Sequence, residues 1–290
     1  MTDAGWRAAL AVLRRLPQAA LSRAFGRLAD LPIPRPTRPT VLRAFARATG
    51  IDLSEVPRPL AEYPTLDAFF TRALPQGARP WPRDDRVLCS PVDGIAGESG
   101  RIEHGRLLQA KGIAYTTAEL LDDDAQAARF AGGAFITLYL SPRHYHRIHS
   151  PCRGAIAEAR HAPGALLPVN PPAVRSIPRL FARNERLICY VDGPAGRVAV
   201  VAVGAFNVGR ISAAFDPGWT TNRRGAPPEP RRYEPSVPVA RGGEIMTFHL
   251  GSTVVLLFGP GLEPAVSRAG AEVRLGEVIA RPAAQREALQ

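Results

Sequence analysis

Lysine is almost missing from this chain of 290 residues: Lys111 stands alone in a basic set that is otherwise arginine, 37 basic residues against 26 acidic. A pyridoxal enzyme would have to use that one lysine, and its setting, Gln109-Ala110-Lys111-Gly112, carries no supporting signal. Cysteine is scarce too. Cys89, Cys152 and Cys189 are an odd set without Cys-x-x-Cys spacing, which argues against a disulfide framework or a zinc knuckle and makes a reducing compartment the default. Long apolar runs are also lacking. Stretches such as 198–206 and 253–258 fall well short of the ~18 residues a membrane-spanning helix needs. With 46% apolar and 22% charged residues, the chain is neither disordered nor collagen-like, and its length allows one large domain or two modest ones.

What is present is uneven. Residues 1–50 carry nine arginines and two aspartates, most of the net charge of +11. That basic start suits an anionic membrane surface or nucleic acid, but no groove-reading motif supports nucleic acid. Residues 3–16 read as a helix with Trp6, Leu10 and Leu13 on one face. After Pro17, residues 18–29 repeat the spacing with Leu21, Phe25 and Leu28, and arginines fill the other side. The same pattern would also serve a helix packed on the body of the protein. Pro32, Pro34, Pro36 and Pro39 form a linker, and helices are expected over 40–49 and from Thr65 to about Pro75. From Val87 the texture changes to short apolar runs at 134–140, 187–191, 198–203, 245–250 and 253–258, which read as strands, with helix around 116–130. Residues 216–238 hold six prolines and read as a long loop. The expected fold class is α+β: an amphipathic helical N-terminal region (1–39), then a mainly antiparallel β body forming a catalytic domain (40–290).

Three of the six histidines fall in Ser141-Pro142-Arg143-His144-Tyr145-His146-Arg147-Ile148-His149, the densest titratable cluster in the sequence. On a strand, His144 and His146 share a face and His149 takes the other, and no carboxylate completes a metal set nearby; general acid–base work suits these imidazoles better. Asp93, in Ser90-Pro91-Val92-Asp93-Gly94, reads either as a turn residue or as the carboxylate that orients a histidine. Gly251-Ser252-Thr253 lies between two strand-like halves. It reads as a β-bulge, or as a site of internal attack: without a side chain at Gly251, the Ser252 hydroxyl can approach the preceding carbonyl, given a base to take its proton. The resulting ester can eliminate and hydrolyse to a pyruvoyl group, an electron sink that needs no lysine.

Taken together, Phe69-Phe70-Thr71-Arg72, Ser90-Pro91-Val92-Asp93-Gly94, Leu108-Gln109-Ala110-Lys111-Gly112, residues 139–149, Pro151-Cys152, residues 180–186 and Leu250-Gly251-Ser252-Thr253 resemble, in order, the phosphatidylserine decarboxylase proenzymes of the longer bacterial type. The resemblance implies self-cleavage between Gly251 and Ser252. A large chain of residues 1–251 and a small chain of residues 252–290 would stay together as a heterodimer, with Ser252 becoming the pyruvoyl cofactor and no metal or pyridoxal required. It further implies an Asp93–His149–Ser252 relay for processing. His146 would serve decarboxylation of phosphatidylserine to phosphatidylethanolamine through a Schiff base. The expected location is peripheral, on the cytoplasmic side of the cell membrane against anionic lipid. His144 stands where relatives can carry Asp and receives no catalytic role; His249 reads as a strand residue.

Overall fold

The computed structural model describes residues 17–206, 210–251, 253–266 and 268–283. The expected helix over 3–16 and Ser252 itself lie outside the described residues. Three helices come first: α1 (Gln18–Ala29), α2 (Arg38–Thr49) and α3 (Leu66–Phe70). α2 ends on Gly50 in the left-handed conformation, and α3 is capped by the Thr65 side chain, which accepts from Ala68 N. α3 stops at Phe70, sooner than the sequence pattern suggests.

The strands that position the site are β1 (Gly94–Arg101), β2 (Ala134–Tyr139), β3 (Arg147–His149), β4 (Gly154–Ala162), β5 (Arg186–Gly193), β6 (Gly196–Val203), β7 (Arg210–Ala213), β8 (Glu229–Val239), β9 (Glu244–His249), β10 (Thr253–Phe258) and β11 (Glu272–Val273). Eight of them form one antiparallel sheet in the order β8-β4-β5-β6-β10-β2-β1-β11, and a second sheet has the order β7-β9-β3. The α+β expectation, helices first and then a mostly antiparallel body, holds.

The apolar runs follow from burial on both faces. Along β10, Val254, Leu256 and Phe258 face a core shared with Ile148, Ile211 and Phe248 of the small sheet, while Val255 and Leu257 face a second core containing Tyr115, Leu120 and Phe181. A strand covered on both sides has no polar face, so it reads as an unbroken apolar run. The reading of 216–238 as loop is corrected in its second half, where β8 pairs with β4 at the sheet edge. Proline is tolerated there because one side of an edge strand needs no ladder bonds. The expected helix around 116–130 is two short helices, Thr117–Leu121 and Asp124–Ala128.

α1 packs by small residues. Ser22, Gly26 and Ala29 are buried against the body, whereas Phe25 (44% exposed), Leu28 (58%) and Leu31 (57%) face outward. The small-residue face meets the reading of a helix packed on the body of the protein.

Candidate active site at the crossing between the sheets

The chain leaves the small sheet at His249 and enters the middle of the large one at Thr253, which pairs with Tyr139 on one side and Val203 on the other. Leu250, in this crossing, has φ of 92°. A branched residue in that region is strained, and such strain gathers at reactive backbone. Gly251 sits in a tight place: a Cβ built on it would lie 3.3 Å from His146 Nε2 and 3.3 Å from the Leu140 carbonyl oxygen.

His146 is fully buried, and its Nδ1 lies 2.8 Å from the His144 carbonyl oxygen. A carbonyl can only accept, so Nδ1 carries the proton and Nε2 presents a lone pair. Among the described residues, no hydrogen-bond partner meets that Nε2, which faces Gly251. The Phe70 ring covers the imidazole, ring centres 4.0 Å apart. Burial, helped by the Arg72 and His144 charges, pushes the His146 pKa down to about 3, against the bond to His144, so in the uncut chain it is a neutral imidazole.

His149 is engaged on both nitrogens. Nδ1 donates to the Gly242 carbonyl at 2.7 Å, which leaves Nε2 to accept from the Tyr145 hydroxyl at 2.9 Å. Burial lowers its pKa, while Gly242, Glu244 and Asp93 pull the other way. Asp93 thus acts on His149 through its field; its own hydrogen bonds go elsewhere. Arg79 grips the carboxylate with Nε at 3.0 Å and an Nη at 2.6 Å, and Leu275 N donates to it at 2.8 Å. The same guanidinium holds both oxygens of Glu55 at 2.9 Å. Glu55, Arg79, Asp93, His144 and Tyr145 help line a polar cavity of about 220 Å³ that also exposes Arg143 and Arg274.

The structure brings Asp93, His146, His149 and Gly251 into one region. Sequence reasoning passed over Arg79 and Tyr145. Arg79 stands in no histidine or carboxylate cluster, Tyr145 stands inside the histidine cluster without a role read for it, and what both do is visible only as contacts. His249, read as a strand residue, closes β9 with Nδ1 2.9 Å from both Asp67 oxygens and Nε2 2.9 Å from Ser212 Oγ. His144 and His146 precede the strand instead of sharing a face of it, because only residues 147–149 pair. Among the described residues, no group of three or more His, Cys, Asp and Glu side chains could hold a metal ion.

The family model for phosphatidylserine decarboxylase matches residues 66–281, which include every residue of this site but Glu55. The chain belongs to the phosphatidylserine decarboxylase family. It is 52% identical over 274 residues to a phosphatidylserine decarboxylase proenzyme of Anaeromyxobacter sp. (strain K), covering 93% of this chain and 96% of the relative. A proenzyme of the same name from Myxococcus xanthus is 47% identical over 249 residues, covering 86% and 88%. Another from Acidovorax ebreus is 44% identical over 272 residues, covering 91% and 94%. The family's members are carboxy-lyases of phospholipid biosynthesis made as proenzymes.

Proposed function

We propose that this chain cuts itself between Gly251 and Ser252 and then decarboxylates phosphatidylserine to phosphatidylethanolamine. The observation that carries the proposal is the strained Leu250-Gly251 crossing with a bare histidine nitrogen on it, in a chain of this family. In the processing step, the Tyr145 hydroxyl turns away from His149 Nε2, which then takes the proton of the Ser252 hydroxyl. Asp93, anchored by Arg79, supplies the negative field that steadies the imidazolium, and the Gly242 carbonyl, accepting from Nδ1, keeps the His149 ring in register. The Ser252 oxygen then takes over the Gly251 acyl group.

The residues fit a pyruvoyl group at position 252: the neighbouring glycine is crowded into a fixed approach, and buried neutral imidazole stands beside it. Such a group, once formed, supplies a carbonyl that accepts the electrons released with carbon dioxide. The chain's own work is to bind and to move protons. Arg143 and Arg274 border the polar cavity and suit the lipid's phosphate. His146 returns the proton to the carbon that loses carboxylate.

The large and small chains remain a heterodimer, because β10 stays bonded to β2 and β6 after the cut. Membrane contact falls to the N-terminal region (1–39), with 40–290 as the catalytic body. Phe25, Leu28 and Leu31 present an apolar face flanked by arginine, the pattern of a helix lying in an anionic interface on the cytoplasmic side. No helix among the described residues is long and apolar enough to cross a membrane. Assaying purified protein for phosphatidylethanolamine formed from phosphatidylserine vesicles tests the reaction. Product from wild type and none from Ser252→Ala supports it; equal product from both refutes it.

A further inference from the structure

Among the described residues, Arg72 is a cation with no ion pair. It is 2% exposed, and neither Nε nor Nη1 has a hydrogen-bond partner. Its guanidinium lies over the Phe69 ring, 5.7 Å from the centroid. The carboxylates within its electrostatic reach are Glu55 and Asp93, which Arg79 already holds, and Asp52, whose hydrogen bonds go to Ser54. An uncompensated buried charge is strongly destabilising, so a fold that keeps one has a use for it. The other unpartnered nitrogen in this region is His146 Nε2. The segments that carry the two groups touch, and the Arg72 charge acts on His146: Phe70 covers the His146 ring and Arg147 Nε donates to the Thr71 carbonyl at 2.8 Å.

We propose that Arg72 and His146 are held for a carboxylate, and that self-cleavage makes it at Gly251. The proposal rests on the cleavage reading above. The atoms balance. Ser252 Oγ bonds to the Gly251 carbonyl carbon as the Gly251–Ser252 C–N bond breaks, and the proton of Oγ goes to the freed amine. Loss of the residue 252 Cα proton and rupture of the ester C–O bond then leave a carboxylate on Gly251. One water replaces the amine as ammonia, and nothing is oxidised or reduced overall. The chain gains a negative charge on the residue that His146 Nε2 faces. That charge gives Arg72 its partner and favours a proton on His146, which thereby changes from a bare acceptor into an acid. The groups facing His146 are Arg72 from the turn after α3, His144 from its own turn and the apolar Phe70 ring. Maturation would in this way arm the proton donor as well as making the carbonyl.

The test compares thermal melting of the lipid-free cut protein with that of Ser252→Ala, each with and without Arg72→Gln. Removing a lone cation should raise the melting temperature of the uncut Ser252→Ala chain by about 3 °C or more, and removing the carboxylate's partner should lower that of the cut protein by a similar amount. Arg72→Lys should leave the cut protein near wild type. Shifts of the same sign in both backgrounds overturn the proposal. So does a reversal that emerges only on adding glycerophosphoserine, which would make the anion the substrate's. Should Arg72→Gln fail to fold or to cut, nitrogen-15 NMR of the histidines decides: His146 should take its proton about one pH unit or more higher in cut protein than in Ser252→Ala, and equal midpoints refute it. A wild-type chain that mass spectrometry finds whole sinks the cleavage reading itself, before any melting is measured.

Discussion

At the scale of single residues, the site depends on which imidazole nitrogens are free. Both histidines donate Nδ1 to a backbone carbonyl, so each keeps its lone pair on Nε2, bare in His146 and accepting from the Tyr145 hydroxyl in His149. Burial lowers both proton affinities, which keeps them neutral. For a base, the working form is the deprotonated one, so a depressed pKa extends function toward acid. Self-cleavage of newly made wild-type chain should therefore fall on acidification with a midpoint below the ordinary histidine value of about 6.5; a time course on gels at graded pH checks this, and a midpoint at or above 6.5 contradicts it. His149→Ala should slow cleavage by about 10²-fold or more, whereas His146→Ala should still cut but turn over phosphatidylserine about 10²-fold more slowly. Normal cleavage in His149→Ala would remove it from the processing step. Arg79→Ala strips Asp93 and Glu55 of their common partner in a buried setting. It should cost about 3 kcal/mol, read from urea melts of the Ser252→Ala chain.

At the scale of elements, α1 has two faces with separate duties. Its small residues seat it, so replacing Phe25, Leu28 and Leu31 together by serine should leave the melting temperature within about 1 °C while weakening binding to anionic vesicles about tenfold or more. Co-sedimentation with and without the substitutions measures it, and unchanged binding refutes the membrane role. The elements also mark what could be read beforehand. Residues 253–258 announced a strand because both faces are buried, and Leu250-Gly251-Ser252-Thr253 stood out because small residues interrupt two such runs. β8 was hidden: an edge strand exposes much of its surface, so proline and arginine sit in it without penalty. Arg79, Tyr145 and Arg72 were hidden for another reason. Their meaning is an ion pair, a hydrogen bond and the lack of either, and these exist only once the chain has folded.

At the scale of the whole molecule, the two sheets explain how a chain can be cut at its core and survive. The cleavage point lies where the chain passes from β9 to β10, and β10 is bonded along its length to strands of the large chain on both sides. The cut frees a crossing and breaks no ladder. The mature protein should run as one particle on a native column and separate into two chains only in denaturant. The same arrangement sets Gly251 beside the buried His146, where a fresh carboxylate can meet buried partners.

The most direct measurement is the intact mass of purified wild-type protein under denaturing conditions. The account predicts two chains, residues 1–251 and a 39-residue chain from position 252 to 290, the small one lighter by ammonia than a chain headed by serine. A single chain of full mass, or a cut at any other bond, would contradict it.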